Sequence, residues 1–239
     1  METQKHIFRD KQAVAEAFAQ YLADQIEAAE DYFAIALSGG STPKILFDHL
    51  AEAYQDKIDW KKVKLFWGDE RCVPPEDDDS NYKMTKEHLL DHIDMPEDNI
   101  FRVKGEDAPF QESARYGQVL IQELNAKYNI PQFDLIILGI GEDGHTASIF
   151  PDRIGLLQHA DPTAVAQHPE SGQKRISLTG PVLNNAKNVC FLLTGESKAE
   201  KVKEIFGKEE GYLQYPAAHV QPSEGELHWW LDEAAASKL

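Results

Sequence analysis

The sequence predicts an α/β protein with a mostly parallel, Rossmann-like sheet and helices on both faces of that sheet. Three observations lead to this fold class. Short apolar segments of the buried-strand type alternate along the chain with amphipathic segments of helical period. Loops rich in glycine or polar residues follow the apolar segments. Neither an internal repeat nor a linker-like stretch interrupts the 239 residues, so we expect a single domain over 1–239.

The expected elements follow from these patterns. In residues 10–30 the apolar side chains fall on one helical face, and Asp10 stands where an N-terminal cap belongs. Pro43 occupies the place of a first helical residue. Helices are expected over 10–30, roughly 44–54, 81–91, about 109–128 and 197–206, with a short terminal helix over 232–236. Strands are expected over 32–37, 63–67, 133–138, 175–179, 188–193 and 229–231.

The net charge of the chain restricts its partners. The sequence holds 24 Lys and Arg against 41 Asp and Glu, a formal net charge of −17. A surface this acidic repels nucleic acid and anionic lipid, so we expect neither nucleic acid nor a membrane as a partner. It also repels phosphorylated metabolites at long range. A phosphate ligand would therefore need a local cluster of Arg and Lys side chains.

The cytoplasm is the expected location. Cys72 and Cys190 have no paired spacing, and Cys190 lies in an apolar run where a small core residue fits. We expect no disulfide, which suits a reducing compartment. The N-terminus has no apolar run of the signal-peptide type, and the longest apolar stretches are well under the roughly 18 residues of a membrane span. The sequence leaves open whether the protein is a monomer or a small homo-oligomer.

Four loops that carry glycine, polar or charged residues follow four of the predicted strands. They cover residues 38–43, 68–71, 139–146 and 194–198. Ligands of such sheets bind outside the carboxyl ends of the strands. We therefore expect the four loops to meet at one edge of the sheet and to form one binding site.

The first loop, Ser38-Gly39-Gly40-Ser41-Thr42, has the chemistry of an anion-binding segment. Glycines let the backbone approach a ligand, hydroxyl groups add donors, and the following helix directs its N-terminal amides to the same place. A Gly-Gly turn with a capping Ser or Thr explains the same residues about equally well. The loop lacks the lysine and the spacing of a nucleoside-triphosphate loop, which argues against a nucleotide.

His145 is the candidate acid–base residue. An imidazole suits proton transfer near neutral pH, and Asp143, two residues earlier, can orient the ring and stabilise its charged form. A histidine in a loop is more often a bystander, but the glycine-rich context and the carboxylate favour a functional role here.

Two kinds of bound group are not expected. Gly139, Gly141 and Gly144 match the dinucleotide fingerprint, but charged residues interrupt the turn and Pro151 follows soon after, so we reject a dinucleotide. Outside His145, histidines and cysteines are scattered without ligand spacing, so we expect no metal site. The prediction is a site that works without a cofactor.

Basic side chains near the same edge are candidates for binding a phosphate. Arg71 follows two acidic residues, and its guanidinium can hold a phosphate through two hydrogen bonds or pair with those acids. Lys198 stands at the start of a helix, where the dipole disfavours a cation, and this misfit favours a ligand role. Arg175 and Lys44 are weaker candidates, for which a solvated or structural role is favoured.

Taken together, the motifs resemble the 6-phosphogluconolactonase family over nearly the whole chain. The matching runs are LSGGSTP (37–43), WGDERCVP (67–74), DSNY (79–82), LGIGEDGHTASIFP (138–151) and GESK (195–198), with a C-terminal WLD (230–232). The resemblance implies a fold of the sugar-phosphate isomerase/deaminase type. It also implies hydrolysis of 6-phospho-D-glucono-1,5-lactone to 6-phosphogluconate, without a cofactor, in the oxidative pentose phosphate pathway.

Site roles also follow from the resemblance. It implies that His145 takes the proton of the attacking water and later helps to protonate the leaving ring oxygen, while Asp143 orients it. Arg71 and Lys198 would hold the phosphate, assisted by the loop 38–42. The substrate would then be a small sugar-phosphate lactone.

Two other functions stay open. Glucosamine-6-phosphate deaminases or isomerases resemble the chain in the glycine loop and the Gly-His segment. They typically carry Asp-Glu-Tyr where this chain has DER (69–71), and a glutamate shortly after the histidine, where this chain has SIFP (148–151). The other alternative is a non-catalytic sugar-phosphate-binding domain, as in some transcription regulators. That role normally needs an attached DNA-binding module and a basic surface.

Overall fold

A seven-stranded parallel sheet forms the centre of the protein. The structure, a computed structural model, describes residues 3–239. The strands of the described residues, of which seven form the central sheet, are β1 (Gln4–Phe8), β2 (Phe33–Leu37), β3 (Val63–Trp67), β4 (Asp69–Arg71), β5 (Ile100–Phe101), β6 (Ala126–Lys127), β7 (Ile130–Pro131), β8 (Leu135–Leu138), β9 (Thr163–Gln167), β10 (Lys174–Leu178), β11 (Asn188–Leu193) and β12 (Glu226–Asp232). Its α-helices are α1 (Lys11–Ala28), α2 (Ser41–Ala53), α3 (Asn81–His88), α4 (Pro109–Glu123), α5 (Gly180–Leu183) and α6 (Ala199–Phe206).

The central sheet has the order β1-β12-β11-β8-β2-β3-β5, and each pair of neighbours is parallel. Along the chain, β2, β3 and β5 extend the sheet in one direction, whereas β8, β11 and β12 extend it in the other. The order therefore reverses between β2 and β8. In open α/β sheets, the carboxyl ends of the strands at such a reversal border the ligand crevice.

Helices cover both faces of this sheet, as the apolar strands predict. On β2, Ala34 and Ala36 face one core, which includes residues of α4 and α6, while Ile35 and Leu37 face the other, which includes residues of α1 and α2. Both faces of the strand are buried, so its sequence is apolar without alternation. The predicted fold class is confirmed.

The helix over residues 10–30 also follows its prediction closely. It runs from Lys11 to Ala28, and the carboxylate of Asp10 accepts a hydrogen bond from the amide of Ala13 at 2.9 Å. A cap of this kind satisfies one of the free amides of the first turn. The second helix begins at Ser41, three residues earlier than predicted, so Pro43 lies inside its first turn.

The strand predicted over 175–179 is present as β10, but it does not join the central sheet. It is the middle strand of a small antiparallel sheet with the order β4-β10-β9. Gly68 lies at the branch point: its amide donates to the carbonyl of Leu37, and its carbonyl accepts from the amide of Leu178, both at 2.8 Å. The small sheet therefore extends directly from the carboxyl ends of β2 and β3.

The predicted terminal helix over 232–236 is wrong, because Asp232 ends β12 and residues 233–236 form turns. The carboxylate of Asp232 accepts from the amide of Ala235 at 2.7 Å and from that of Gly195 at 3.0 Å. These bonds fix the turn to the loop after β11. The helix predicted over 109–128 ends at Glu123, where the chain enters the β6–β7 hairpin, and β1 was not predicted. Among residues 3–239, none of the helices is long and apolar enough to cross a membrane.

Candidate active site

The four loops border one cavity of about 290 Å³ at the carboxyl edge of the central sheet. Nine of the candidate residues line it: Ser38, Gly39, Gly40, Ser41, Thr42, Arg71, His145, Arg175 and Lys198. Asp143 lies behind His145, outside the lining. Lys44 is exposed on α2 and does not line the cavity. A larger cavity, of about 510 Å³, lies between α6 and β12, but no candidate residue borders it.

The first loop brings the backbone close to its neighbours. A Cβ on Gly39 would lie 1.9 Å from Oδ1 of Asn81, so this position requires glycine. Gly40 has a φ of 112°, and α2 begins directly after it, without a side-chain cap from any residue in 3–239. The amides of the first turn therefore face no competing side-chain acceptor, as an anion-binding helix start requires. Thr42 contacts Thr194 at 2.7 Å between hydroxyl oxygens, which joins the first loop to the fourth.

His145 and Asp143 form a direct pair. Nδ1 of His145 lies 2.6 Å from Oδ1 of Asp143, and the same oxygen accepts from the backbone amide of His145 at 3.1 Å. Burial raises the pKa of Asp143, but the hydrogen bonds and charge of His145 outweigh that effect and bring the pKa below its ordinary value. Because the ionised carboxylate can only accept, Nδ1 carries the proton in this pair. In a neutral imidazole with Nδ1 protonated, the other ring nitrogen, Nε2, has a free lone pair.

Neighbouring backbone holds the imidazole in this position. A Cβ on Gly141 would lie 2.1 Å from Nδ1 of His145, so the ring packs against bare backbone. Gly144 has a φ of 81° and lies against the ring of Tyr215, where a Cβ would approach to 2.3 Å. The amide of Gly141 donates to the carbonyl of His145 at 2.9 Å and closes the turn. The glycines at 141 and 144 therefore serve the histidine turn, which explains the fingerprint match without a dinucleotide.

Arg71 and Arg175 enter the cavity from the small antiparallel sheet. They are direct partners in the β4–β10 register, and Nε of each side chain is buried without a hydrogen-bond partner among the described residues. Burial, followed by the charge of Arg71, lowers the pKa of Arg175. Like charges placed opposite each other destabilise a sheet. A bound anion between the two guanidinium groups would offset this repulsion.

The acids next to Arg71 have other partners. Arg71 instead donates from Nη1 to the carbonyl of Asp79 at 2.7 Å. The buried carboxylate of Glu70 accepts from the amides of Arg71, Asn81 and Tyr82 at 2.7–2.8 Å, and thereby fixes the start of α3 beside the cavity. Burial raises the pKa of Glu70, although these three amide bonds oppose that effect. Of the two roles left open for the Arg71 guanidinium, pairing with its neighbouring acids is the one that the structure does not show.

Lys198 borders the cavity from the opposite side. It occupies the N-cap position of α6, and its Nζ donates to the carbonyl of Ile140 at 2.8 Å, which leaves further N–H groups of the ammonium for a ligand. The helix predicted over 197–206 thus begins at Ala199, after a short 3-10 segment. Arg71, Arg175 and Lys198 thus bring three positive charges to one cavity of an acidic protein.

Two polar residues of the cavity were not singled out from the sequence. Asp69 is buried and accepts from the hydroxyl of Ser148 at 2.6 Å, while its carbonyl accepts from the side-chain amide of Asn81 at 2.9 Å. Asn81 belongs to the DSNY run, which was noted as a motif without a role for this residue. Within residues 3–239, no three His, Cys, Asp or Glu side chains are grouped so as to hold a metal ion.

The family comparison agrees with this geometry. Residues 9–229 match the model of the family described as glucosamine-6-phosphate isomerases/6-phosphogluconolactonase. The chain belongs to this family. Among curated members, the 6-phosphogluconolactonase of Haemophilus influenzae is 46% identical over 206 residues, which cover 86% of this chain and 87% of the relative.

Solved structures of the family share the whole fold. The crystal structure of a protein called devB superimposes with a TM-score of 0.95 at 40% identity and covers 100% of both chains. The 6-phosphogluconolactonase of Trypanosoma brucei superimposes with a TM-score of 0.89 at 28% identity, covering 100% of this chain and 99% of that one. The family fold therefore extends over the full length of the chain, including the small antiparallel sheet that carries the two arginines.

Proposed function

We propose that the protein hydrolyses 6-phospho-D-glucono-1,5-lactone to 6-phospho-D-gluconate. The observation that carries this proposal is one cavity lined both by His145, which is hydrogen-bonded to Asp143 behind it, and by two arginines whose Nε atoms have no partner among the described residues. A phosphorylated ester needs both features, an acid–base group at the carbonyl carbon and a cationic site for the phosphate. The similar proteins that carry the name 6-phosphogluconolactonase support the choice of substrate.

In the proposed reaction, Nε2 of His145 takes a proton from a water molecule as the water oxygen attacks the lactone carbonyl carbon. The carbonyl oxygen carries the negative charge of the tetrahedral intermediate. When the carbonyl re-forms, the bond to the ring oxygen breaks, and the protonated imidazole gives its proton to that oxygen. One water is consumed, and a carboxyl and a hydroxyl group are formed. Asp143 keeps Nδ1 protonated and stabilises the imidazolium between the two proton transfers.

Arg71, Arg175 and Lys198 hold the phosphate in this proposal, together with the loop 38–42 and the first amides of α2. The two guanidinium groups provide planar donors to phosphate oxygens, and the ammonium adds a third positive charge. Binding of this remote group would place the lactone carbonyl near His145. No step requires a cofactor. A cytoplasmic location and a place in the oxidative pentose phosphate pathway belong to the proposal as well.

The decisive assay generates the lactone from glucose 6-phosphate in situ and follows its loss against spontaneous hydrolysis. We expect the wild-type protein to accelerate that loss strongly. A parallel assay measures ammonia release from glucosamine 6-phosphate, for which we expect no signal. Ammonia release without lactone hydrolysis would contradict the proposal and favour a deaminase. Binding of the sugar phosphate without turnover of either substrate would favour a non-catalytic sensor.

A further inference from the structure

Phe150 contacts two members of the proposed site at once. Its ring centroid lies 4.7 Å from that of the His145 imidazole, with the planes inclined by 48°. The guanidinium carbon of Arg175 lies 5.5 Å from the centroid of the same phenyl ring. The side chain of Phe150 is 0% exposed. One buried ring therefore contacts both the acid–base group and a cation of the phosphate site.

A tight turn brings Phe150 back against His145. Ala147 has a φ of 47°, and the amide of Ile149 donates to the carbonyl of Thr146 at 2.9 Å. Ser148 secures the turn from the small sheet, because its amide donates to the hydroxyl of Ser177 at 3.1 Å. A left-handed residue other than glycine is a strained conformation that the surrounding contacts must maintain. These hydrogen bonds hold the turn that leads into Phe150, and none of them involves the phenyl ring.

A third contact limits the orientation of the phenyl ring. The ring of His168 meets it edge to face, with centroids 5.2 Å apart and planes at 77°. Nδ1 of His168 accepts from the backbone amides of Glu170 and Ser171 at 3.3 and 3.2 Å, which fixes this imidazole in turn. His145, Arg175 and His168 therefore enclose the phenyl ring, and any shift of the ring would disturb at least one of them.

We propose that Phe150 is a positioning residue whose ring holds both the imidazole of His145 and the guanidinium of Arg175 in place. Water activation and phosphate binding then both depend on this one side chain. This inference rests on the proposed function. The face of a phenyl ring attracts a guanidinium. The imidazolium that His145 forms between the two proton transfers is a second cation close to this ring. A leucine fills much of the same space but has no such face.

The coupling predicts an effect on two kinetic constants from one substitution. In Phe150→Leu, we expect kcat to fall about 10-fold, because a small displacement of the imidazole misaligns proton transfer. We expect KM for the lactone to rise at least ~3-fold, because Arg175 loses its cation–π partner. Phe133→Leu is the matched control. Phe133 is also 0% exposed and packs edge to face on Phe66, but it precedes β8, at the opposite end of that strand from the His145 loop.

Double-mutant cycles separate positioning from general destabilisation. If Phe150 acts through Arg175, the KM effect of Phe150→Leu disappears in an Arg175→Ala background. If it acts through His145, its kcat effect disappears in a His145→Ala background. If Phe150→Leu does not fold, Phe150→Met supplies the same cycles with a flexible side chain of similar volume.

The outcomes distinguish this inference from the proposed function. A wild-type protein without lactonase activity contradicts the proposed function. An active wild type whose Phe150→Leu variant has the same kcat and KM as Phe133→Leu contradicts the positioning role alone. Fully additive effects in both cycles also contradict it. A combined change in kcat and KM, lost in the respective backgrounds, supports it.

Discussion

Arg71 and Arg175 face each other across the β4–β10 ladder, so that two guanidinium groups share one wall of the cavity. The pair carries an electrostatic cost in the free protein, because burial and the charge of Arg71 both lower the pKa of Arg175. The chain as a whole has a net charge of −17. The arrangement is best explained by an anionic ligand that binds between the two side chains.

The arginine pair predicts a ligand-dependent stability. Inorganic phosphate should raise the Tm of the wild-type protein, because a ligand that binds only the folded state stabilises it. The increase should be reduced in Arg71→Ala and Arg175→Ala, and KM for the lactone should rise in both variants. Sodium chloride at matched ionic strength is the control for screening. An unchanged phosphate effect in both variants would place the anion elsewhere.

The bond between Asp143 and His145 predicts a pH-dependent contribution to stability. The pKa of Asp143 in the folded protein lies below its ordinary value of 3.8, so folding favours the ionised form. Its stabilisation is therefore present above pH 3.8 and is lost as the pH falls through the lowered value. The contribution is expected to stay below about 1 kcal/mol, because the side chain is 41% exposed.

Denaturant unfolding of the wild type and Asp143→Asn at several pH values tests this sign. The stability difference should shrink in acid, as the pH falls through the lowered pKa of Asp143. At neutral pH, kcat should also fall in Asp143→Asn, because the amide no longer stabilises the imidazolium. A difference in stability that grows as the pH falls below 3.8 would contradict the assignment.

Replacement of Glu70, which lies beside the site, should lower the stability of the folded protein. Its buried carboxylate accepts from three backbone amides and from the hydroxyl of Ser80, and a glutamine would turn an NH₂ group toward some of these donors. We expect Glu70→Gln to lower the free energy of unfolding by about 2–3 kcal/mol. Glu76→Gln, in the exposed acidic loop, should change it by less than ~0.5 kcal/mol. Equal stabilities of the two variants, measured by denaturant titration, would show that Glu70 does not hold α3.

Four strands of the central sheet could be predicted from the apolar character of their side chains alone. β2, β3, β8 and β11 are short apolar runs that end in glycine or polar loops, and the parallel arrangement then places all four loops at one edge. β1, with the sequence QKHIF, could not be recognised in this way. It is an edge strand whose burial is partial, so its sequence carries little apolar signal.

The wall of the site that carries the arginines depends on long-range pairing. Arg175 was a weak candidate because nothing near it in sequence shows that β10 leaves the central sheet and pairs with β4. The predicted terminal helix failed for a similar reason, since Asp232 bonds to Gly195 in a distant loop. The His145 loop was predictable because the residues that define it lie within a few positions of each other.

His145→Ala removes the imidazole that we propose activates the attacking water. Lactone hydrolysis is measured for the wild type, His145→Ala and the control His92→Ala, which changes an exposed histidine after α3. We expect a kcat at least ~10²-fold lower in His145→Ala alone, while phosphate still raises the Tm of all three proteins. An unchanged kcat in a folded His145→Ala variant would show that His145 does not activate the water.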